Sequence, residues 1–229
     1  VFIPLHDQVP LRSLKAPHLT RVIMAVTVLV WLVTASGLFP GGIDGAAVVA
    51  GVIPAVLFGE AVLPDGYALV PPSLTLLTSL FLHGSFLHLL GNMLFLQVFG
   101  DNVEDSMGHW RFVGFYLGCG AVAGLTYAAM STAPEDPLIG ASGAVAGVIG
   151  AYLVLHPRAH VWGLVMNVVP LRIRASWALG LWLAVQIYQV MFGVETSTAW
   201  WAHIGGFVAG VVLVLPLRRP VSPWGRPMG

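Results

Sequence analysis

Six long apolar stretches separated by polar breaks run through this 229-residue chain, over residues 22–39, 74–100, 112–130, 142–156, 177–192 and 200–217. A segment of roughly 18 or more such residues is what a hydrocarbon layer about 30 Å thick demands of a crossing helix. Lipid offers the backbone no hydrogen bonds, so each crossing segment must pair its own N–H and C=O groups, as a helix does. The pattern predicts an all-α, polytopic membrane protein with six transmembrane helices. A tail over 1–19, a membrane domain over 20–217 and a second tail over 218–229 complete the expected organisation. Composition agrees: 57% of residues are hydrophobic and 9% charged, against about 25% charged in soluble domains.

The charges also orient the bundle. All ten basic residues (Arg12, Lys15, Arg21, Arg111, Arg158, Arg172, Arg174, Arg218, Arg219 and Arg226) fall before the first span, in every second loop or after the last span. The intervening loops carry Asp44, Glu60, Asp65, Glu135, Asp136 and Glu195 and no base. By the positive-inside rule both termini are expected in the cytoplasm, in a multi-pass protein of the cell membrane. An odd number of spans would break this alternation. With 10 Lys plus Arg against 10 Asp plus Glu, the basic footprint of a nucleic-acid binder is missing. No cleavable leader is expected ahead of the first span, and the single Cys119 has no intramolecular partner.

Two connections are themselves apolar. The loop over 40–73 contains "AAVVAGVIPAVLF", too short to cross and interrupted by Pro54, so it is expected to lie in the membrane interface. The stretch "RAHVWGLVMNVVPLRIRA" holds Pro170 and three arginines, and is expected to form a cytoplasmic interfacial hairpin.

The fourth span, "SGAVAGVIGAYLVLH", raises a depth problem. Its 15 residues make about 22 Å of helix, short of the ~30 Å layer. If His156–Arg158 marks its inner end, Ser142 opens the helix below the outer surface. The irregular segment 137–141 must then dip in ahead of it, which lipid permits only against protein or beside a water-filled cavity. Ser142 lies sixteen residues before Arg158 and His203 fifteen before Arg218, so their depths match. His88 and Asn92, thirteen and nine residues before Asp101, reach the same layer on one helix face, with His83 nearer the outer rim. Gly143, Gly147 and Gly150 on the fourth span, and Gly206 and Gly210 on the sixth, form small-residue stripes that let helices approach closely.

Such a layer suits acyl-transfer chemistry. A serine hydroxyl becomes a nucleophile when a base takes its proton, and His203 is the candidate base. No acidic residue lies in a span at that depth, so a Ser-His dyad is expected. The oxyanion needs aimed donors; backbone N–H groups opening the fourth span, His88 and Asn92 are candidates. Taken singly, each residue also has a plainer reading. Membrane serines commonly bond their own helix, and His or Asn commonly join helices. A metal site lacks HExxH and the usual carboxylates. His109, His156, His160, His6 and His18 are expected to face water or headgroups.

As a set, "HGSFLHLLGNMLFLQVFGDNVED", "GASGAVAGVIGAY" and "WWAHIGGFVAG" resemble the rhomboid intramembrane serine proteases, in order and spacing, over about residues 20–217. The resemblance implies a six-helix bundle with Ser142 as nucleophile, His203 as base, His88, Asn92 and the Ser142 N–H as oxyanion donors, and Gly140 shaping the nucleophile's loop. It implies transmembrane protein substrates entering near the second and fifth spans and cut near their outer ends, the lipid bilayer as surroundings, and no metal, ATP or other cofactor. Two features depart from the family's pattern. Ala146 stands where some members carry a tyrosine that supports the base, so another side chain must orient His203. No Trp-Arg pair occurs in the loop over 40–73. Rival readings are a non-enzymatic helix-binding member of the fold and a small transporter, the latter without the intramembrane acids or broken helix pairs that would favour it.

Overall fold

The computed structural model describes residues 2–165, 168–193 and 199–219. In chain order the elements are strand β1 (Phe2–Asp7), helices α1 (His18–Ala35), α2 (Gly42–Ala50), α3 (Pro54–Leu57), α4 (Pro72–Thr78), α5 (Phe86–Met107), α6 (His109–Met130) and α7 (Ser142–Leu155), strands β2 (His160–Val165) and β3 (Val169–Arg174), and helices α8 (Ala175–Phe192) and α9 (Trp200–Leu217). The expected Glu195, Arg226 and most of the tail over 218–229 lie outside the described residues.

Among the described residues, α1, α6, α8 and α9 are long and apolar enough to cross a membrane. The span expected over 74–100 is not one rod. Pro72–Phe81 and Phe86–Met107 meet at 84° and would make a fifth crossing only if taken as a pair. The break follows from "LHGS": Leu82 and Ser85 both adopt extended backbone, and the Ser85 hydroxyl accepts the His88 N–H at 3.1 Å, starting a new helix.

Helix α7 has 14 residues, as short as the sequence implied. Every residue from Gly143 to Tyr152 is buried, so protein rather than lipid surrounds it. Its glycines set the spacing. A Cβ on Gly206 would collide with the Gly143 carbonyl oxygen, and one on Gly210 with that of Gly147. Helix α9 thus lies backbone to backbone on α7, where only glycine fits. On another face, a Cβ on Gly147 would come within 2.6 Å of Cys119 in α6.

The all-helical expectation needs correction at the end of the bundle opposite Ser142. There β1, β2 and β3 form an antiparallel sheet in that order. The expected interfacial hairpin is therefore a β-hairpin, and residues 2–7 of the expected tail over 1–19 add a strand to it. Buried polar chemistry fixes that strand. Asp7, 4% exposed, accepts the Tyr152 hydroxyl at 2.6 Å and the Asn102 amide at 2.8 Å. Burial lifts the Asp7 carboxyl above its ordinary value, opposed by the bond from Tyr152.

Two neighbouring carboxylates tie the following segment down. Asp105 accepts the N–H groups of Arg12, Ser13 and Leu14 at 2.8, 2.8 and 2.6 Å. Pro17 gives α1 no side-chain cap, so Glu104 of α5 serves instead, accepting from Leu19 N, Thr20 N and the Thr20 hydroxyl at 3.0, 2.8 and 2.6 Å. Glu104 also contacts His109, which therefore does not simply face water. Replacing Glu104 by leucine leaves these donors unmet at about 1–3 kcal/mol for each buried one. Thermal unfolding of Glu104→Leu should show a loss of about 3 kcal/mol, whereas Glu104→Gln, which keeps an acceptor, should lose less.

Candidate active site

Ser142 is the first residue of α7, and the loop before it supplies the geometry. Gly140 takes φ 125°, a region that side chains avoid. A Cβ there would stand 2.7 Å from His88 Nε2, so glycine also leaves room for that ring. The irregular backbone is paired by protein: Leu138 and Val52 exchange N–H···O bonds of 2.8 and 3.0 Å, and Gly140 N donates to Ser79 O at 2.9 Å. The loop expected in the interface, which carries Val52, thus braces the segment that aims Ser142.

His203 enters from the first turn of α9. Its Nε2 lies 2.9 Å from Ser142 Oγ, a full hydrogen bond. The glycine contacts between α7 and α9 bring the two within reach. Both side chains are half-buried, and both line a cavity of about 550 Å³ shared with His88, Asn92, Tyr127 and Trp182. His88 stands in the first turn of α5. One turn on, Asn92, 7% exposed, donates Nδ2 to the His88 carbonyl at 3.0 Å, leaving one amide hydrogen for the cavity. The Ser142, Gly143 and Ala144 N–H groups open α7 without helical partners, as at any helix start. The structure therefore brings Ser142, His203, His88, Asn92 and Gly140 to one site.

Three neighbours of His203 were given no role in the sequence reading. The Nδ1 edge of the His203 ring, away from Ser142, is held by Gln186 of α8, with Nδ1 to Oε1 2.7 Å. Trp182 and Trp200 pack against the same ring, with centroids 5.9 and 6.1 Å away. This support stands in for an aromatic at Ala146, which is fully buried. The sequence signal was a glutamine inside an apolar helix, but "LAVQIYQV" offers two, Gln186 and Gln189, and only the packing tells them apart. His83, placed by depth near the rim, is 1% exposed and lies edge-on to His88 at 4.9 Å. Among the described residues no group of three or more His, Cys, Asp or Glu side chains is arranged to hold a metal ion.

The segments that assemble this cavity also carry the chain's relationship to known proteins. A family model for the Rhomboid domain matches residues 73–220, from α4 to just beyond α9. The chain belongs to the rhomboid family. It is a mostly helical, multi-pass membrane rhomboid. RHOMBOID-like protein 5 of Arabidopsis thaliana is 30% identical over 159 residues, covering 67% of this chain and 48% of its own length. Rhomboid-like protease 3 of Toxoplasma gondii is 31% identical over 146 residues, covering 63% and 52% respectively. Rhomboid-type serine protease 2 of Emericella nidulans is 28% identical over 148 residues, covering 61% and 26%. This rhomboid spans about half the length, or less, of these curated relatives.

Proposed function

We propose that this rhomboid is an intramembrane serine endopeptidase that cleaves transmembrane proteins near their outer ends. The observation that carries the reading is the 2.9 Å contact between His203 Nε2 and Ser142 Oγ inside a partly enclosed cavity. The names of relatives that are called proteases support it. In this reading α1, the bent α4–α5 pair, α6, α7, α8 and α9 are the six helices of a membrane domain over 20–217. The distribution of basic residues supports cytoplasmic termini, and the proposal places the protein in the cell membrane.

The chemistry follows from the atoms present. His203 Nε2 takes the hydroxyl proton as Ser142 Oγ attacks the scissile carbonyl carbon. The carbonyl oxygen becomes an oxyanion, met by the Ser142 N–H and by side-chain donors from His88 and Asn92. The C–N bond then breaks, the imidazolium returns its proton to the departing amine, and an ester on Ser142 remains. A water entering the cavity repeats the sequence and releases the acid. A helical peptide bond hides its carbonyl in a hydrogen bond, so substrates with Gly or Pro near the cut should open more readily.

The test is incubation of the purified chain with a transmembrane reporter substrate, with the cut site read by mass spectrometry. Cleavage in the outer third of the reporter helix supports the reading, and intact reporter rejects it. His88→Ala and Asn92→Ala should each lower kcat by about 10²-fold, as loss of one oxyanion donor does elsewhere, with melting temperatures close to wild type. Wild-type turnover in both would remove them from the oxyanion site.

A further inference from the structure

An imidazole that accepts the Ser142 proton must present a lone pair at Nε2, so its own hydrogen has to sit on Nδ1. The ring therefore needs an acceptor behind it. Gln186 Oε1 lies 2.7 Å from Nδ1, yet a carboxamide carries both a donor and an acceptor, so that contact alone leaves the tautomer open. The other end of the same side chain decides it. Gln186 Nε2 is 3.2 Å from the Trp182 carbonyl oxygen, which can only accept. The NH₂ must then face Trp182 and the oxygen must face His203, so Nδ1 donates and Nε2 is free to receive the Ser142 hydroxyl.

Resting on the protease reading above, we propose that Gln186 is the positioning residue of the base, fixing the tautomer and orientation of His203 so that Ser142, His203 and Gln186 form a hydrogen-bonded chain whose third member is uncharged and takes no proton. An amide suits the place, because a carboxylate there would bring an unpaired charge into the membrane layer. Gln186 is 4% exposed and is the one buried residue of α8 beyond Leu179, whereas Leu181, Val185, Tyr188 and Met191 on the same helix are exposed. Gln186 is thus, with the half-buried Trp182 that packs on the same imidazole, where α8 meets His203.

The test uses the purified full chain with the transmembrane reporter and compares wild type, Gln186→Met and Gln186→Glu. Read out are kcat, KM, the rate of Ser142 labelling by a fluorophosphonate, and melting temperature. Methionine keeps the length and removes the acceptor; glutamate keeps an acceptor oxygen in either protonation state. Gln186→Met should lower kcat and labelling by about 10- to 100-fold at little change in KM, short of the ~10⁴-fold loss when a charged third member is mis-set. Gln186→Glu should retain most of the rate. Wild-type kcat in Gln186→Met, or equal losses in both variants, would overturn the assignment, since mere helix anchoring would move melting temperature and not the contrast in rate. If Gln186→Met fails to fold, Gln186→Asn, one methylene too short to reach Nδ1, carries the same decision. Failure of the protease reading looks different: the wild type itself leaves the reporter intact, or Ser142→Ala still cleaves it.

Discussion

Ser142→Ala and His203→Ala are each expected to lower reporter cleavage by about 10⁴-fold or more, and the double variant by hardly more than either single one. Residues that act as one unit lose nearly everything with the first removal. In the proposed mechanism the reason is local: without the imidazole 2.9 Å away, the Ser142 hydroxyl keeps its proton, and without the hydroxyl His203 has nothing to activate. Fluorophosphonate labelling separates the two singles from unfolding. His203→Ala should label Ser142 very slowly while melting like wild type. Cleavage that persists in either single variant, or losses that multiply in the double, would show that the two do not work as a pair.

The second large effect is on assembly. Gly210→Ala adds one methyl group where the Gly147 carbonyl already stands, and Gly206→Ala does the same against Gly143. A backbone cannot swing aside as a side chain does, so α7 and α9 must separate. Overpacking of this kind costs about 3 kcal/mol, and the separation would also pull His203 from Ser142. Gly180→Ala in α8 is the matched control. A Cβ there meets nothing within 4 Å, and removing a helical glycine should stabilise by about 0.5–1 kcal/mol. Thermal melts of the three variants, read beside their labelling rates, check the contrast; equal behaviour would mean that α7 and α9 are not held by this contact.

Much of the site was legible because a membrane imposes a ruler. Counting from the basic ends levelled Ser142 with His203, and helical spacing put Asn92 one turn beyond His88; these four do line one cavity. Close approach was readable too, since glycines spaced by four mark a helix face stripped of side chains, against which a second backbone can lie. The ruler failed where the chain leaves a straight helix. The bend between α4 and α5 contains no proline, and its apolar residues continue a run that reads as one span. Gln186 escaped because helical phase cannot be fixed from an apolar sequence with two glutamines three apart. The polar floor beneath the bundle escaped for a different reason. Nothing near Asp7 in the sequence announces Tyr152 or Asn102, and short strands joined across some 150 residues have no local signature. Glu104 and Asp105 belong with these: acidic residues at a helix end look like ordinary surface until their partners are known, and those lie in the segment from Arg12 to Thr20, far away in sequence.

The pairing of Phe2–Asp7 with the strand His160–Val165 sets an order on how the molecule is made. The ribosome delivers the first strand while its neighbour is still unsynthesised, so four of the apolar segments are made before that edge can be closed. Late, distant pairings of this kind are slow steps in assembly. Until the hairpin emerges, the strand Phe2–Asp7 lacks the edge it pairs with, although Tyr152 of α7 has already been made. Completion of the sheet would therefore mark a nascent chain in which α7, the helix that Ser142 opens, has already been made.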